Sequence, residues 1–504
     1  MLKFSLNNCR PAGRSNFSGA TIACSLSFFF LISVVAVYYL FLLSSGDFQI
    51  FAPENLDQAF NNMLLHLLHG EFTVDRGAIG YEAFTRDGKT YAYFGIFPAV
   101  LRLLAIPVTN LAQAHLARLS CLTATVIFIA LQLRMLLIVH SSLPAASRRP
   151  EFLAVMMTAT VLSGPQLYLL GVAWIYHEPI LWSAAMGAAF NLIIVRRTFI
   201  GKSLRSQDLI LLALLAGLAI NTRPSIGVAL YLGTMLLVLW TVWYRYTRIY
   251  TAQQLLSKGG WLLSTILPSI AILSLGAVVV GIVNFERWGN AFTFADFRYW
   301  DMRVNVFPNL IEIIHNYGEF GLGRIWIGAL YYSTDIPYLL KVIPPFAEFL
   351  RARVVELDSP PSTPVLTNPL TIILAGIGLY RVWWKPELST QSVAVLRLSL
   401  LAHASTVVLI LAAMAFSLRY RFDFAPFMSL AALVGYGSVS RAMTEACQAW
   451  QKRMRMAAIG LCFLGVLFSH YELLLYKIYC WVVPINVRLS LLPFAPFARY
   501  VFHR

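Results

Sequence analysis

The sequence predicts an all-α polytopic membrane protein of about eleven transmembrane helices with two large outer loops, and three observations predict it. Of its 504 residues 59% are hydrophobic and only 12% charged, where ordinary globular chains carry about 25% charged residues. The mean hydropathy is +0.69, more apolar than a water-exposed surface tolerates. The apolar residues also fall in runs of the length that a helix rising 1.5 Å per residue needs to cross about 30 Å of hydrocarbon.

Eleven such runs lie at 19–45, 115–136, 152–170, 179–195, 208–221, 225–244, 261–283, 367–381, 397–416, 423–440 and 456–478. The first is too long for a secretory signal and lacks a small-residue cleavage pattern before Asp47, so it reads as an anchor. The stretch 93–107 is apolar but short and holds Pro98, Arg102 and Pro107, which suits an interfacial or re-entrant segment better than a span. No 20- to 50-residue repeat is visible, and no linker divides the chain, so 1–504 reads as a single membrane-embedded unit. The six cysteines are scattered in apolar or basic stretches, which predicts neither disulfides nor a cysteine metal site.

The net charge of +16 would point to an anionic partner in a soluble protein. Here topology accounts for much of it. With the N-terminus in the cytoplasm, the short inner segments 1–18, 134–151, 196–208, 245–260, 381–397 and 441–455 hold twenty of the 39 Lys and Arg. All but four of the 23 acidic residues (Glu151, Asp208, Glu387 and Glu445) then fall on the outer side. The outer segments hold nearly as many basic residues but are about twice as long, and loops 46–114 and 284–366 are too long to follow the positive-inside rule strictly, so an inner N-terminus is favoured and acidic chemistry falls on the outer face.

The polar residues of that face are the candidates for chemistry. In the first loop Leu56, Phe60, Met63, Leu64, Leu67 and Leu68 recur at helical spacing, predicting an amphipathic helix laid on the membrane surface. Glu54 and Asp57, three apart, would share its first turn. They serve equally as N-terminal capping acids. His177 and Glu178 sit beside Trp174 and Tyr176 between the third and fourth spans. An adjacent His and Glu suit acid/base work or a divalent metal, and also an ordinary aromatic belt before a helix started by Pro179. Arg223 breaks two apolar runs, and Arg419, Tyr420, Arg421 and Asp423 lie between the ninth and tenth spans. Guanidinium groups there can grip a lipid phosphate, or simply snorkel to the interface. Loop 284–366 is rich in aromatics with charges of both signs, which suits a sugar or polar head group. No nucleotide-binding glycine loop, HExxH, GxSxG or cysteine cluster occurs, which disfavours a nucleotide-driven pump, a zinc protease and a nucleic-acid binder.

In order along the chain, the acid-headed first loop, "DGKTYAYFGIFPAVLRLLAIP", the His-Glu turn, "TRPS", "NFERWGNAFTF" and "RYRFDFAP" resemble the GT-C superfamily of polyprenyl-phosphate-sugar-dependent glycosyltransferases. The resemblance covers about residues 19–440 and is nearest to the bacterial galacturonosyltransferase-like and aminoarabinose-transferase-like branches. It implies sugar transfer from a polyprenyl-phosphate-sugar donor to a lipid or polysaccharide acceptor, at the periplasmic face of a bacterial inner membrane. It further implies an acid of the first loop as base, matched by Asp57 or Glu54, and phosphate contacts matched by Arg223, Arg419, Arg421 and Tyr420. His177 and Glu178 match a second acidic, acceptor or metal-binding position, although many relatives need no metal and no other cofactor is implied. The aminoarabinose branch carries an adjacent Asp-Glu pair where this chain has "ENLD", so the base stays open among Glu54, Asp57 and Asp47. The segment from 484 on reads as an amphipathic outer tail, leaving acceptor recognition to the membrane body and its loops.

A lipid or polysaccharide flippase is the main alternative. Such proteins show related halves with ionisable residues near the midplane, whereas charge here gathers at one boundary. An O-antigen ligase or polymerase is the nearer enzymatic alternative, and the large early loop favours the transferase of single sugars.

Overall fold

The computed structural model describes residues 19–249, 259–334, 343–358 and 363–479; the first 18 residues and the tail from 484 lie outside them. Among these residues nine helices are long and apolar enough to cross a membrane. Two shorter apolar helices, Ser206–Ile220 and Pro369–Trp384, complete the eleven that the sequence predicts. The chain is an all-α polytopic membrane protein. Its boundary with lipid is visible on the first helix, Gly19–Leu43, where Leu26, Phe29, Phe30, Val34, Val37 and Phe41 are exposed at helical spacing, and on Gly259–Trp288 through Leu267, Ile270, Leu275, Val278, Ile282 and Phe285.

The two short helices dock through glycine. In Pro369–Trp384 a Cβ on Gly378 would lie 1.9 Å from Ala431 O, and one on Gly435 would lie 1.9 Å from Leu374 O, so backbone meets backbone. Small residues are what allow such an approach where lipid offers no hydrophobic drive between helices. Gly217 and Gly276 do the same for Ser206–Ile220 against Gly259–Trp288. The third span breaks once, between Pro150–Leu162 and Pro165–Leu169, at Gly164 with φ +110°. A Pro at the next residue starts the second piece and cannot continue the first.

Helix alternation brings both large loops to one end of the bundle, and contacts there knit them together. Phe97 N donates to Asn221 O (3.0 Å), Asp301 N to Ala83 O (3.0 Å) and Asp358 N to Phe416 O (3.1 Å). At the opposite end Arg197 meets Asp208 at 2.8 Å and Glu387 bridges Arg381 and Arg441. The 93–107 segment does not cross: it forms a helical turn Phe97–Leu101 followed by a 3-10 turn Arg102–Ala105.

The first-loop helix departs from expectation. It runs Ala59–Leu68, and its apolar face, Phe60, Met63 and Leu64, is buried with Val74, Ile79, Phe94 and Leu111 in a small core of its own. That face is therefore covered by the loop itself, through apolar partners that the sequence pattern alone does not reveal, while Leu68 stays exposed. Leu56 precedes the helix with φ +59°, and Glu54 and Asp57 sit in the turn before it, not on a shared helical face.

Candidate functional site

The site forms where four segments meet at the loop-bearing end. The first is a hairpin, β1 Phe84–Arg86 paired with β2 Lys89–Tyr91. Asp87 and Gly88 turn it with positive φ at both positions, as Asp-Gly favours in a two-residue hairpin. Phe84 is fully buried against Trp288 and Tyr91, and this anchors Glu82, two residues earlier, on the inner side of the loop. The second segment ends in Tyr176, just before helix His177–Phe199. The third is β3, Glu356–Leu357, and the fourth is β4, Ala415–Phe416, which pairs with β3 in parallel and leads directly into the 3-10 segment Leu418–Phe424.

Arg419 lies at the centre. Its guanidinium carbon stands 4.2 Å from the centroid of the Tyr176 ring and 5.4 Å from that of Tyr420, within the range where a cation is attracted to a ring face. Among the described residues no carboxylate pairs with it directly, and its Nε is sealed from solvent with no hydrogen-bond partner. Tyr176 turns its hydroxyl the other way and donates to Glu82 Oε1. Burial raises the proton affinity of Glu82, while the Tyr176 hydrogen bond and Arg419 oppose the rise. On the loop-two side Glu356 and Asp358 face one another. Burial and the neighbouring Asp358 push Glu356 up to about 7 against the pull of Arg419.

The other two arginines expected to hold phosphate have carboxylate partners. Arg223 grips Asp423 with two parallel bonds, Nε to Oδ1 at 2.7 Å and Nη2 to Oδ2 at 2.6 Å, and lies 5.0 Å from the Tyr420 ring. Arg421 pairs with Glu472 of the last helix, both of them buried. These pairs satisfy the charges internally, so Arg223 and Arg421 build the floor and position Tyr420, whereas Arg419 has no carboxylate contact among the described residues. A cavity of about 290 Å³ opens among the helices, with Arg421, Phe422 and Phe424 of the same 3-10 segment in its lining and Arg419 outside it. Phe128, Leu136, Met156 and Leu433 give it an apolar wall.

The loop-one acids lie apart, at the start of helix Ala117–Ser142. Asp57 Oδ2 meets His115 Nδ1 at 2.6 Å and also accepts from Glu54 N at 3.0 Å. Glu54 accepts from Arg118 Nε at 2.6 Å, and Arg118 also reaches Asp47 at 3.5 Å. Burial raises the proton affinity of Glu54 and Arg118 opposes it. His177 and Glu178 part company. The His177 ring, fully buried, has Nδ1 at 2.7 Å from Val172 O and Nε2 at 3.3 Å from Tyr476 OH. Glu178 forms a buried pair with Arg102 (2.8 Å) and accepts from Ser120 at 2.5 Å, while Arg102 also donates to Asn61 at 2.9 Å. The adjacent pair thus serves two separate interiors. No group of three or more His, Cys, Asp or Glu side chains placed to hold a metal occurs among the described residues.

Sequence reasoning missed Glu82, Glu356 and Asp358. A signal for the last two exists: acids two apart in an extended segment, "VVELDSP", project to one face of a strand. For Glu82 only its place just before the Asp-Gly hairpin hints at a fixed position.

No protein-family profile matches the chain, and no curated protein matches it. Among solved structures it is similar to the Archaeoglobus fulgidus oligosaccharyltransferase in its apo form, at 12% identity and a TM-score of 0.47, over 89% of this chain and 55% of that one. It is also similar to the oligosaccharyltransferase AglB of the same archaeon in complex with an inhibitory peptide and a dolichol-phosphate, at 12% identity and a TM-score of 0.46, over 91% and 56%. The chain spans little more than half the length of these structures.

Proposed function

We propose that this protein is a membrane glycosyltransferase that moves a sugar from a polyprenyl-phosphate-linked donor to a lipid or polysaccharide acceptor, at the periplasmic face of a bacterial inner membrane. The observation that carries the reading is Arg419, a guanidinium with a buried, unpartnered Nε between two tyrosine rings, on the segment that also closes a 290 Å³ apolar cavity. A ligand with an anionic head and an apolar tail satisfies both at once. A buried polar group left without a partner costs free energy, so a site that keeps one is poised for a ligand that supplies it.

The chemistry follows from the donor. The bond between the anomeric carbon and the phosphate oxygen breaks with its electron pair on oxygen, and Arg419 meets the charge that develops there. A preformed cation in a water-poor site contributes without reorganising as the charge appears. Tyr176 and Tyr420 hold its plane. Arg223–Asp423 and Arg421–Glu472 keep the floor rigid. Asp57 and Glu54, engaged by His115 and Arg118, fix the first loop over the site.

The test is sugar transfer from a panel of synthetic polyprenyl-phosphate-sugars to membrane lipid extract, by purified protein in detergent. The wild type should consume one donor, and Arg419→Ala should lower kcat/KM by about 100-fold or more, with thermal unfolding showing an intact fold. If the wild type consumes no donor while labelled lipid crosses proteoliposomes, the transferase reading fails and a flippase takes its place.

A further inference from the structure

We infer that Glu356 of the second loop, set against Asp358 and Arg419 by the pairing of β3 with β4, is the group that accepts the proton of the acceptor hydroxyl. The inference rests on the transferase reading above and adds a residue outside the first loop, where a base is otherwise expected.

Most carboxylates at this end are already engaged. Asp57 and Glu54 are engaged by His115 and Arg118, Glu178 by Arg102, and Asp423 by Arg223. A carboxylate held by an arginine must give up that contact before it can take a proton, and Asp57 already meets both His115 Nδ1 and Glu54 N. Glu82 makes no ion pair among the described residues, but it is only 6% exposed and Tyr176 already donates to it. Of the acids that act on Arg419, Glu356 and Asp358 remain, half-buried and without an ion pair among the described residues, so a substrate hydroxyl can reach them.

Their placement is built by the backbone. Glu356 pairs in register with Ala415 and Leu357 with Phe416. Val355 N donates to Met414 O at 2.8 Å and Asp358 N to Phe416 O at 3.1 Å, while Tyr331 OH holds the Asp358 carbonyl at 3.1 Å. Arg419 follows three residues after Phe416, so one short parallel ladder fixes the two acids relative to the cation. Arg419 lies against the Tyr176 and Tyr420 rings with a buried Nε that no described group satisfies and no carboxylate contact among the described residues, which leaves room for an anion beside the two acids.

In the step itself the acceptor O–H proton passes to the Glu356 carboxylate as the acceptor oxygen bonds to the anomeric carbon. The carbon–phosphate-oxygen bond breaks, and polyprenyl phosphate leaves with the electron pair beside Arg419. Glu356 then returns its proton to water, so atoms and charge balance without a further reactant. The charged and titratable groups around Glu356 are Asp358 on its own segment, Arg419 from Leu418–Phe424, and Glu82 from the first loop. Burial and Asp358 push Glu356 up to about 7, against Arg419, and a base is most effective when its proton affinity lies near the working pH.

The experiment uses the full chain and the donor found active above. Glu356→Gln should lower kcat by about 100-fold or more, leave the donor KM within threefold, and retain binding of polyprenyl phosphate without sugar. In the wild type log kcat should rise with pH to a plateau with its midpoint near 7. Asp358→Asn, which removes a like charge, should move that midpoint down while activity above it persists. Retention of kcat within threefold in Glu356→Gln, or an unmoved midpoint in Asp358→Asn, overturns the assignment even where the wild type transfers sugar. An inactive wild type fails the parent reading and takes this inference with it.

Discussion

Two acidic regions at the same end of the molecule are built on opposite rules. Around the start of helix Ala117–Ser142, Asp47, Glu54 and Asp57 each meet a basic side chain at 2.6 to 3.5 Å. Around Arg419, Glu82, Glu356 and Asp358 have no ion pair among the described residues, and the arginine they surround has none either. A paired carboxylate is a fastener: its charge is spent on holding loop to helix. An unpaired, half-buried one such as Glu356 keeps its lone pairs open, and burial with Asp358 beside it raises its proton affinity. On the proposed function, chemistry belongs to the second region and architecture to the first, although the sequence advertises the first more loudly.

The largest expected effect lies in the fastened class. Glu178→Ala would leave Arg102 buried at 4% exposure with its principal partner gone. Stranding one member of a buried pair costs about 3 to 5 kcal/mol, so thermal unfolding in detergent should show a markedly less stable protein, whatever donor is present. A variant as stable as the wild type would mean that Arg102 finds another counter-charge and that the pair does not hold Phe97–Ala105 in place.

Asp57→Asn is the variant that can break the comparison. If the Asp57–His115 contact is a fastener, the loss is about 1 kcal/mol or less in stability for a partly exposed pair, with kcat lowered less than tenfold. A fall of 100-fold in kcat with polyprenyl phosphate binding and fold intact would return the base to the first loop and leave Glu356 without its role. Rate measured as kcat and KM separately decides the matter, because a loosened loop acts on both.

The fold was legible because hydrophobic run length is a one-dimensional property: all eleven runs became helices, including two whose 15 and 16 residues are short for a span. The site was legible in part. Arg223, Arg419, Tyr420 and Arg421 were found as residues, and the division of the arginines into one open and two satisfied was not, because Asp423 and Glu472 neutralise Arg223 and Arg421 from 200 and 51 positions away. The same holds for Glu54 and Asp57, whose partners lie 64 and 58 residues on. Periodicity shows that a helix has an apolar face but not what will cover it. Phe60, Met63 and Leu64 therefore read as a membrane-surface face, whereas Phe94 and Leu111 cover them.

Tyr176→Phe sharpens the second region. It removes the hydroxyl that donates to Glu82 and keeps the ring that lies against Arg419. A hydrogen bond to a charged group contributes about 1.5 to 3 kcal/mol, so stability should fall by roughly the lower figure at neutral pH. Transfer should fall less than tenfold, since the cation keeps its aromatic neighbour. A Leu replacement, which removes both, should be clearly worse for transfer than Phe, and equal rates for the two would show that the ring does not orient Arg419.

The smallest effect is on stability as a function of pH, read at a carboxylate that belongs to neither region. Glu319, in the second loop, is pushed up to about 7 by burial and by Asp296. Its folded form therefore holds a proton that the unfolded chain has already released, across the window from about 4.5 to 7. Its contribution to stability is fully present below that window and fades as pH rises through it, since the native state binds more protons there. The wild type should unfold at a higher temperature at pH 5.5 than at pH 7.5, and Glu319→Gln should flatten that slope by a degree or two, on the order expected for a fraction of a kcal/mol in a chain of this size. Glu356 adds a slope of the same sign. The double substitution Glu319→Gln with Glu356→Gln should be flatter than either alone while only the Glu356 change affects transfer. An unchanged slope in the double variant would mean that neither carboxyl keeps its proton near neutrality, which would remove the electrostatic support for Glu356 as a base and leave it to the geometry alone.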